Sequence, residues 1–152
     1  MVTVPIRSVL CRKGSALWCV TPEALVYDAV LIMAEKSIGA LPVIADGQVV
    51  GMVTERDYAR KVALQSRSSK DTRVSEIMTT PVISVTADET VEECLMTMTL
   101  RRIRHLPVVE RGQVVGIVSI GDLVRQVVLT QSEIIQQLQN YITGQSFVQP
   151  AP

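Results

Sequence analysis

The sequence predicts an α+β fold: two similar small units related by a pseudo-twofold axis, followed by an extended C-terminal helix. Three observations carry this. Gly39–Arg60 (GALPVIADGQVVGMVTERDYAR) aligns without a gap on Arg104–Arg125 (RHLPVVERGQVVGIVSIGDLVR), at an offset of 65 residues that holds back to Val20-Thr21 against Val85-Thr86. Each copy contains two β-rich runs around a glycine turn, and apolar residues recur at helical spacing on either side of those runs. Each copy therefore reads as strand, helix, strand, strand, helix, and a site built from one unit is expected to have a twin in the other.

The first helix of unit one is expected from Thr21-Pro22-Glu23, with Thr21 as N-cap and Pro22 at the first helical position. Val26, Ala29, Val30, Met33 and Ala34 then define its buried face. In unit two Thr86-Ala87-Asp88-Glu89 has the pattern of a capping box, followed by Val91, Leu95 and Met98. The runs Leu41–Ala45 and Val49–Thr54 flank Asp46-Gly47-Gln48, and Asp-Gly between apolar runs signals a hairpin. Leu106–Glu110 and Val114–Ser119 repeat the pattern around Arg111-Gly112. Helices then start at Thr54 and Ser119. Gln65–Arg73 is polar and aperiodic, which marks a linker. One repeat carries three residues more than the other before its Val-Thr, Cys11–Cys19 against Thr79–Ser84, so the symmetry breaks near the first strand.

Past the second copy, Val124, Val128, Gln131, Ile135, Leu138 and Ile142 follow alternating four- and three-residue steps, flanked by Val127, Ile134 and Tyr141. That spacing suits helix-on-helix packing. Because the helix lies outside the duplicated unit, the stripe is read as a homodimer contact; the alternative is that it covers the molecule's own core. Gln131 in the seam would cost stability and fix register. Gly144 is a C-terminal stop and Gln145–Pro152 a frayed tail. The expected divisions are 1–64 for the first repeat with its lead-in, 65–73 for the linker, 74–130 for the second repeat, 131–144 for the helical extension and 145–152 for the tail.

Composition narrows the function. Apolar residues make up 47% of the 152 and charged ones 20%, a globular balance. Fifteen basic and fifteen acidic side chains cancel, so no overall field draws the chain to nucleic acid or anionic lipid. The longest apolar stretch, Ala29–Ala34, is far below a bilayer span, and the N-terminus lacks the layout of a secretory signal. Three cysteines without a CxxC argue against a disulfide scaffold and for a cytoplasmic location. Cys94, in the periodic part of its helix, reads as a small hydrophobe rather than a nucleophile. His105 is the sole histidine, which argues against an imidazole-based metal site. With no Ser-His-Asp or Cys-His set and no P-loop, the chain is not expected to be an enzyme or to carry a catalytic cofactor.

Two segments could hold a ligand. Thr54-Glu55-Arg56-Asp57, with its twin Ser119-Ile120-Gly121-Asp122, places a hydroxyl at a strand end and an aspartate in the first turn of a helix. Free N–H groups there suit a phosphate, and the carboxylate can accept from both hydroxyls of a ribose. The same residues also fit a plain capping box. The second segment is Gly39-Ala40 against Arg104-His105, ahead of the Leu-Pro-Val strands. Pro42 and Pro107 cannot donate a ladder hydrogen bond, so the strand edge there is expected to be open. Arg104 and His105 bring donors suited to phosphate, with Arg101 and Arg102 close by. Arg56 and Lys61 face Gly121 and Gln126 in the other copy, so the two sites cannot bind phosphate equally.

The order Val-Thr before a helix, then Leu-Pro-Val, then Gly-hydrophobe-Val-[Thr/Ser]-x-x-Asp resembles the CBS domain, named after cystathionine β-synthase, twice in tandem as in a Bateman module. The resemblance covers about residues 6 to 128. Ile6–Leu10 and Val74–Met78 look like the short lead-in helix of each repeat. It implies two CBS units, each roughly β-α-β-β-α, meeting through their sheets, with two clefts for adenosyl ligands such as AMP, ADP, ATP, NAD or S-adenosylmethionine, and pairing into disc-like homodimers. Carried over, Asp57 and Asp122 would hold ribose hydroxyls, with Thr54 and Ser119 at the phosphate or ribose. Ala40-Leu41-Pro42 and His105-Leu106-Pro107 would flank the base or phosphate, and Thr21 and Thr86 would lie near the base. The function implied is a regulatory module that senses a nucleotide and changes conformation to modulate a separate partner protein. A constitutive dimeric scaffold with empty clefts is the alternative.

Overall fold

Two β-hairpins, one per copy, anchor the architecture. In the computed structural model, which describes residues 3–14 and 16–144, β1 (Ala40–Ala45) pairs antiparallel with β2 (Gln48–Thr54), and β3 (His105–Glu110) with β4 (Gln113–Ser119). The expected tail, 145–152, lies outside the described residues. Asp46-Gly47 and Arg111-Gly112 close the hairpins with positive φ at both positions (50° and 77°; 51° and 76°), the twist that a two-residue turn needs. Each ladder shifts register at the same place, after Val43 and after Val108, leaving Val50 and Val115 as the extra residues.

The first strand of each unit shrinks to a single parallel bridge, Val20 to Val43 and Val85 to Val108. The reason is chemical. Val20 N–H donates to the Pro42 carbonyl (3.1 Å) and Ile44 N–H to the Val20 carbonyl (2.8 Å). The next bond toward the N-terminus would need an N–H on Pro42, and the next toward the C-terminus an N–H on Pro22; neither exists. Val85 is held by the same pair of bonds, with Pro107 and Val109 (3.0 and 2.8 Å), and Pro107 stops the ladder as Pro42 does. On the other side Ala87 stands where unit one has Pro22, so the proline block there belongs to unit one alone. The edge expected to lie open at Pro42 and Pro107 is therefore occupied there by Val20 and Val85.

Helix α2 (Val26–Lys36) begins five residues later than Thr21, and α4 (Val91–Arg101) five later than Thr86. Thr90 closes the capping box of α4, with Glu93 as partner, while at Thr86 half of the expected box forms, its N–H donating to Glu89 Oε2 (2.6 Å). Leu25 supplies no side-chain cap to α2. Its first amides are instead satisfied by the linker: Val26 N–H donates to the Thr72 carbonyl (2.8 Å) and Tyr27 N–H to that of Ser69 (3.0 Å). Val26, Ala29 and Met33 are buried as expected, Val30 is half-buried, and Ala34 faces solvent. Helix α3 (Glu55–Tyr58) is short and widens at once into a π turn over Ala59–Ala63, whereas its counterpart α5 (Ile120–Ile142) runs on for 23 residues.

The two lead-ins change places. Helix α1 (Ile6–Lys13) buries Ile6 and Val9 in the core of the second unit, among Val85, Val91, Cys94, Met98 and Leu106. The 3₁₀ turn Val74–Glu76 and Ile77 enter the core of the first unit, among Val26, Met33, Leu41 and Val53. Backbone bonds repeat the exchange with matching registers. Ile6 and Arg7 donate to the carbonyls of Glu89 and Ala87, and Val74 and Ser75 to those of Ala24 and Pro22. The tip of each lead-in presses on a glycine of the opposite hairpin. A Cβ on Gly116 would stand 2.7 Å from Leu10 Cδ2, and one on Gly51 2.7 Å from Met78 Sδ.

Those distances make both glycines sites of overpacking. Gly51→Val and Gly116→Val should each lower stability by about 1–3 kcal/mol, read as a fall in thermal midpoint of roughly 2–4 °C per kcal/mol for a chain of this size. Leu10→Ala should soften the cost of Gly116→Ala; strictly additive losses would show that the contact is not its source.

Candidate functional site

The exchange leaves a cleft on either side of the hairpins. The first, about 410 Å³, is bounded by the start of α3, the Thr79–Ile83 segment and the approach to β3. The second, about 320 Å³, is bounded by the start of α5, the end of α1 with the segment through Trp18, and the approach to β1. The symmetry of the chain relates them: Thr54 and Asp57 line the first, Ser119 and Asp122 the second.

In both, the hydroxyl and carboxylate close a capping box. Asp57 Oδ2 accepts from the Thr54 N–H (3.0 Å) and hydroxyl (3.1 Å), while Thr54 Oγ1 accepts from the Asp57 N–H (3.1 Å). Asp122 Oδ2 accepts from the Ser119 N–H (2.8 Å), and Ser119 Oγ from the Asp122 N–H (3.2 Å). A lysine then reaches each aspartate from a different place. Lys61, one turn further along the chain from Asp57, puts Nζ 3.0 Å from Asp57 Oδ1 and donates to the Ile77 carbonyl (2.8 Å). Lys13, at the end of the exchanged α1, donates to Asp122 Oδ2 and to the Ile117 carbonyl (both 2.8 Å). Thr79 adds a hydroxyl donor to Asp57 Oδ1 (3.2 Å). Burial alone would raise the Asp122 carboxyl, but the Lys13 and Ser119 bonds outweigh it and hold it below the usual carboxylate range.

The walls differ more than the floors. Cleft one is lined by Arg56, Arg60, Lys61, Arg102 and Arg104 against two carboxylates, Glu55 and Asp57. In cleft two the charges are Lys13 and Asp122, already paired, and Trp18 stands where cleft one has Ile83. Gly39 and His105 line both clefts. A Cβ on Gly39 would lie 3.4 Å from the imidazole, so the glycine gives the ring its room. Burial, with Lys13 and Arg104, pushes the His105 imidazole below its ordinary pKa; Asp122 only partly offsets them. The ring is therefore neutral at neutral pH.

Among the residues singled out from sequence, Gly39, Thr54, Arg56, Asp57, Arg104 and His105 meet in cleft one. Gly39, Ala40, His105, Ser119 and Asp122 meet in cleft two. Leu41 and Leu106 point into the cores, and Pro42 and Pro107 are buried under Val20 and Val85. Thr21 and Thr86 are exposed and line neither cleft. Sequence reasoning missed Lys13, Trp18 and Thr79. All three fall in or beside the segments of unequal length, where the alignment of the repeats gives no guide. Cys94 is buried at the place of Ala29, and burial, with Glu89 and Glu93, pushes its thiol up to about 12, as suits a small hydrophobe. Among the described residues no cluster of His, Cys, Asp and Glu could hold a metal ion, and no helix is long and apolar enough to cross a membrane.

Residues 6–64 and 74–129 each match the CBS domain. The chain is 46% identical over 136 residues to the CBS domain-containing protein CBSX3, mitochondrial, of Arabidopsis thaliana, covering 86% of this chain and 66% of that one, so it spans about two thirds of that relative's length. A CBS-domain protein from Burkholderia ambifaria is 50% identical, with a TM-score of 0.79 over 86% of this chain and 96% of that one. A CBS domain pair solved in complex with 5′-methylthioadenosine and S-adenosyl-L-methionine is 26% identical, with a TM-score of 0.72 over 85% and 99% of the two chains. With the duplicated hairpins, the twin clefts and these matches in hand, the chain belongs to the CBS-domain family as a tandem pair of units.

Proposed function

We propose that the chain is a regulatory module, not an enzyme, that binds an adenosyl ligand in its clefts and passes that occupancy to a separate protein. The observation that supports this most is the recurrence of a hydroxyl–aspartate pair on the floor of two open clefts, in a fold whose relative carries adenosyl compounds. Asp57 and Asp122 would accept from ribose hydroxyls, which compete for the oxygens that Lys61 and Lys13 now hold. A lysine displaced from its aspartate stays at the cleft as a donor for the ligand. Residues of both units line each cleft, so an occupant ties the units together and shifts their relative angle, to which a partner can respond. AMP, ADP, ATP, NAD and S-adenosylmethionine share the adenosyl group this requires. The free thiols of Cys11, Cys19 and Cys94 suit a reducing compartment such as the cytoplasm.

The same module is proposed to work as a homodimer. Val124, Val128, Ile135 and Leu138 on α5 stand 50–56% exposed, so the stripe does not serve this chain's own core. Its steps assign Val128, Ile135 and Ile142 to one core position of a heptad and Val124, Gln131 and Leu138 to the other. The first position is β-branched throughout, as in two-stranded parallel coils, while the second holds leucine only at Leu138, with Gln131 to fix register. From 126 to 144 the only charged residue is Glu133, on the face away from the seam, so identical copies meet without repulsion. The second copy of α5 is the occupant this face fits.

Calorimetric titration with AMP, ATP, NAD and S-adenosylmethionine tests the ligand reading. Asp57→Asn or Asp122→Asn keeps an oxygen for the capping amide, so the thermal midpoint should move by only a few degrees. Loss of a charge-assisted bond of about 1.5–3 kcal/mol should weaken binding tenfold or more. Absence of binding to any of the four would leave the scaffold reading, in which the capping boxes are the whole purpose of these residues. For the assembly, light scattering should show Ile135→Asp with Leu138→Asp converting a dimer to a monomer; a dimer that survives both changes would place the contact elsewhere.

A further inference from the structure

Resting on the adenosyl reading, we infer that the two clefts take different classes of adenosine derivative: a 5′-polyphosphate in cleft one, and one with an uncharged 5′ group in cleft two. The charge on the walls carries the argument. Cleft one holds five guanidinium or ammonium groups and two carboxylates. The ion pairs of the described residues consume only Lys61, against Asp57, and leave Arg56, Arg60, Arg102 and Arg104 without a carboxylate partner. Arg56 leans on the Arg102 carbonyl (Nη1 3.3 Å), a neutral acceptor. Like charges gathered at one rim repel until an anion joins them, and planar guanidinium forks match phosphate oxygens two at a time. A phosphate chain is the part of an adenine nucleotide that supplies those oxygens.

Cleft two lacks this excess. Its lysine is spent on Asp122 and the Ile117 carbonyl, its histidine is neutral, and the remainder of its lining is largely Leu10, Leu17, Trp18, Ile38 and Ile117. A phosphate chain placed there would lose its hydration for one ammonium, Lys13, whose charge Asp122 cancels whether or not the two stay in contact. Trp18 offers instead a broad indole wall, with the Lys36 Nζ 4.2 Å from its ring centroid. An aromatic face of this kind stacks on a purine without regard to charge.

Trp18 is the only tryptophan of the chain, and it lines cleft two alone. Its fluorescence therefore separates the two sites. The full-length chain is titrated with ATP, AMP and 5′-methylthioadenosine while heat and Trp18 emission are recorded. ATP is expected to release heat with little change in emission and to bind at least tenfold tighter than AMP. It should weaken tenfold or more in the exposed double variant Arg60→Ser with Arg104→Ser, and again as salt is raised. 5′-Methylthioadenosine is expected to change the emission, to bind alongside ATP, and to ignore both salt and the arginine variant; Trp18→Leu should weaken its heat signal. ATP that alters Trp18 emission and is indifferent to the arginines would overturn the assignment, as would competition between ATP and 5′-methylthioadenosine for one site. No binding by any of the three would instead overturn the adenosyl reading itself.

Discussion

The exchange of lead-ins is the constraint on which the rest of the molecule depends. Neither unit owns a complete core. Ile6 and Val9 fill the second, Val74 and Ile77 the first, and each brings with it a pair of backbone bonds that fix its register. The contact is close because Gly51 and Gly116 have no side chain where Met78 and Leu10 arrive. One wall of each cleft is set by this geometry. Lys13 reaches Asp122 only because α1 lies across the second hairpin, and Thr79 reaches Asp57 only because its segment crosses back to the first. A hydrophobic exchange thus places the polar groups, which in water alone would not hold such positions.

Much of this was legible in the residues. The offset of 65 pointed to two units and twin clefts, Asp46-Gly47 to a hairpin, and the pattern at Thr54–Asp57 to both a cap and a candidate ligand contact. What escaped was long-range. Thr21 looks like an N-cap, but the amides of α2 are satisfied by carbonyls of Ser69 and Thr72, forty and more residues along the chain. A polar stretch that reads as a bare linker is in fact the cap of a distant helix. Pro42 suggests an open edge because it lacks a donor, yet its carbonyl remains an acceptor and Val20 takes it. Lys13 and Trp18 fall where the repeats differ in length, so no internal comparison could have paired them with the second site.

The symmetry is strict where it serves packing and lax where it meets solvent. Core positions match pair by pair, Val26 with Val91, Ala29 with Cys94, Met33 with Met98 and Leu41 with Leu106, because each hairpin must be covered in the same way. Cleft walls are free of that demand, and there the copies have diverged, one to an excess of positive charge and the other to a single balanced pair. The helix after the second hairpin is likewise released from symmetry and extends as α5, while its counterpart ends in a π turn and yields to the linker.

One ring belongs to both clefts. His105 stands between them with Gly39 at its face, so any movement of the imidazole that enlarges one cavity reshapes the other. Were both clefts filled as proposed, thermodynamic reciprocity would apply: whatever free energy a first occupant added to or removed from the second would be returned in equal measure when the order is reversed. Two unlike chemical signals read by one small chain would be compared within it, through a single side chain, before any other protein is consulted.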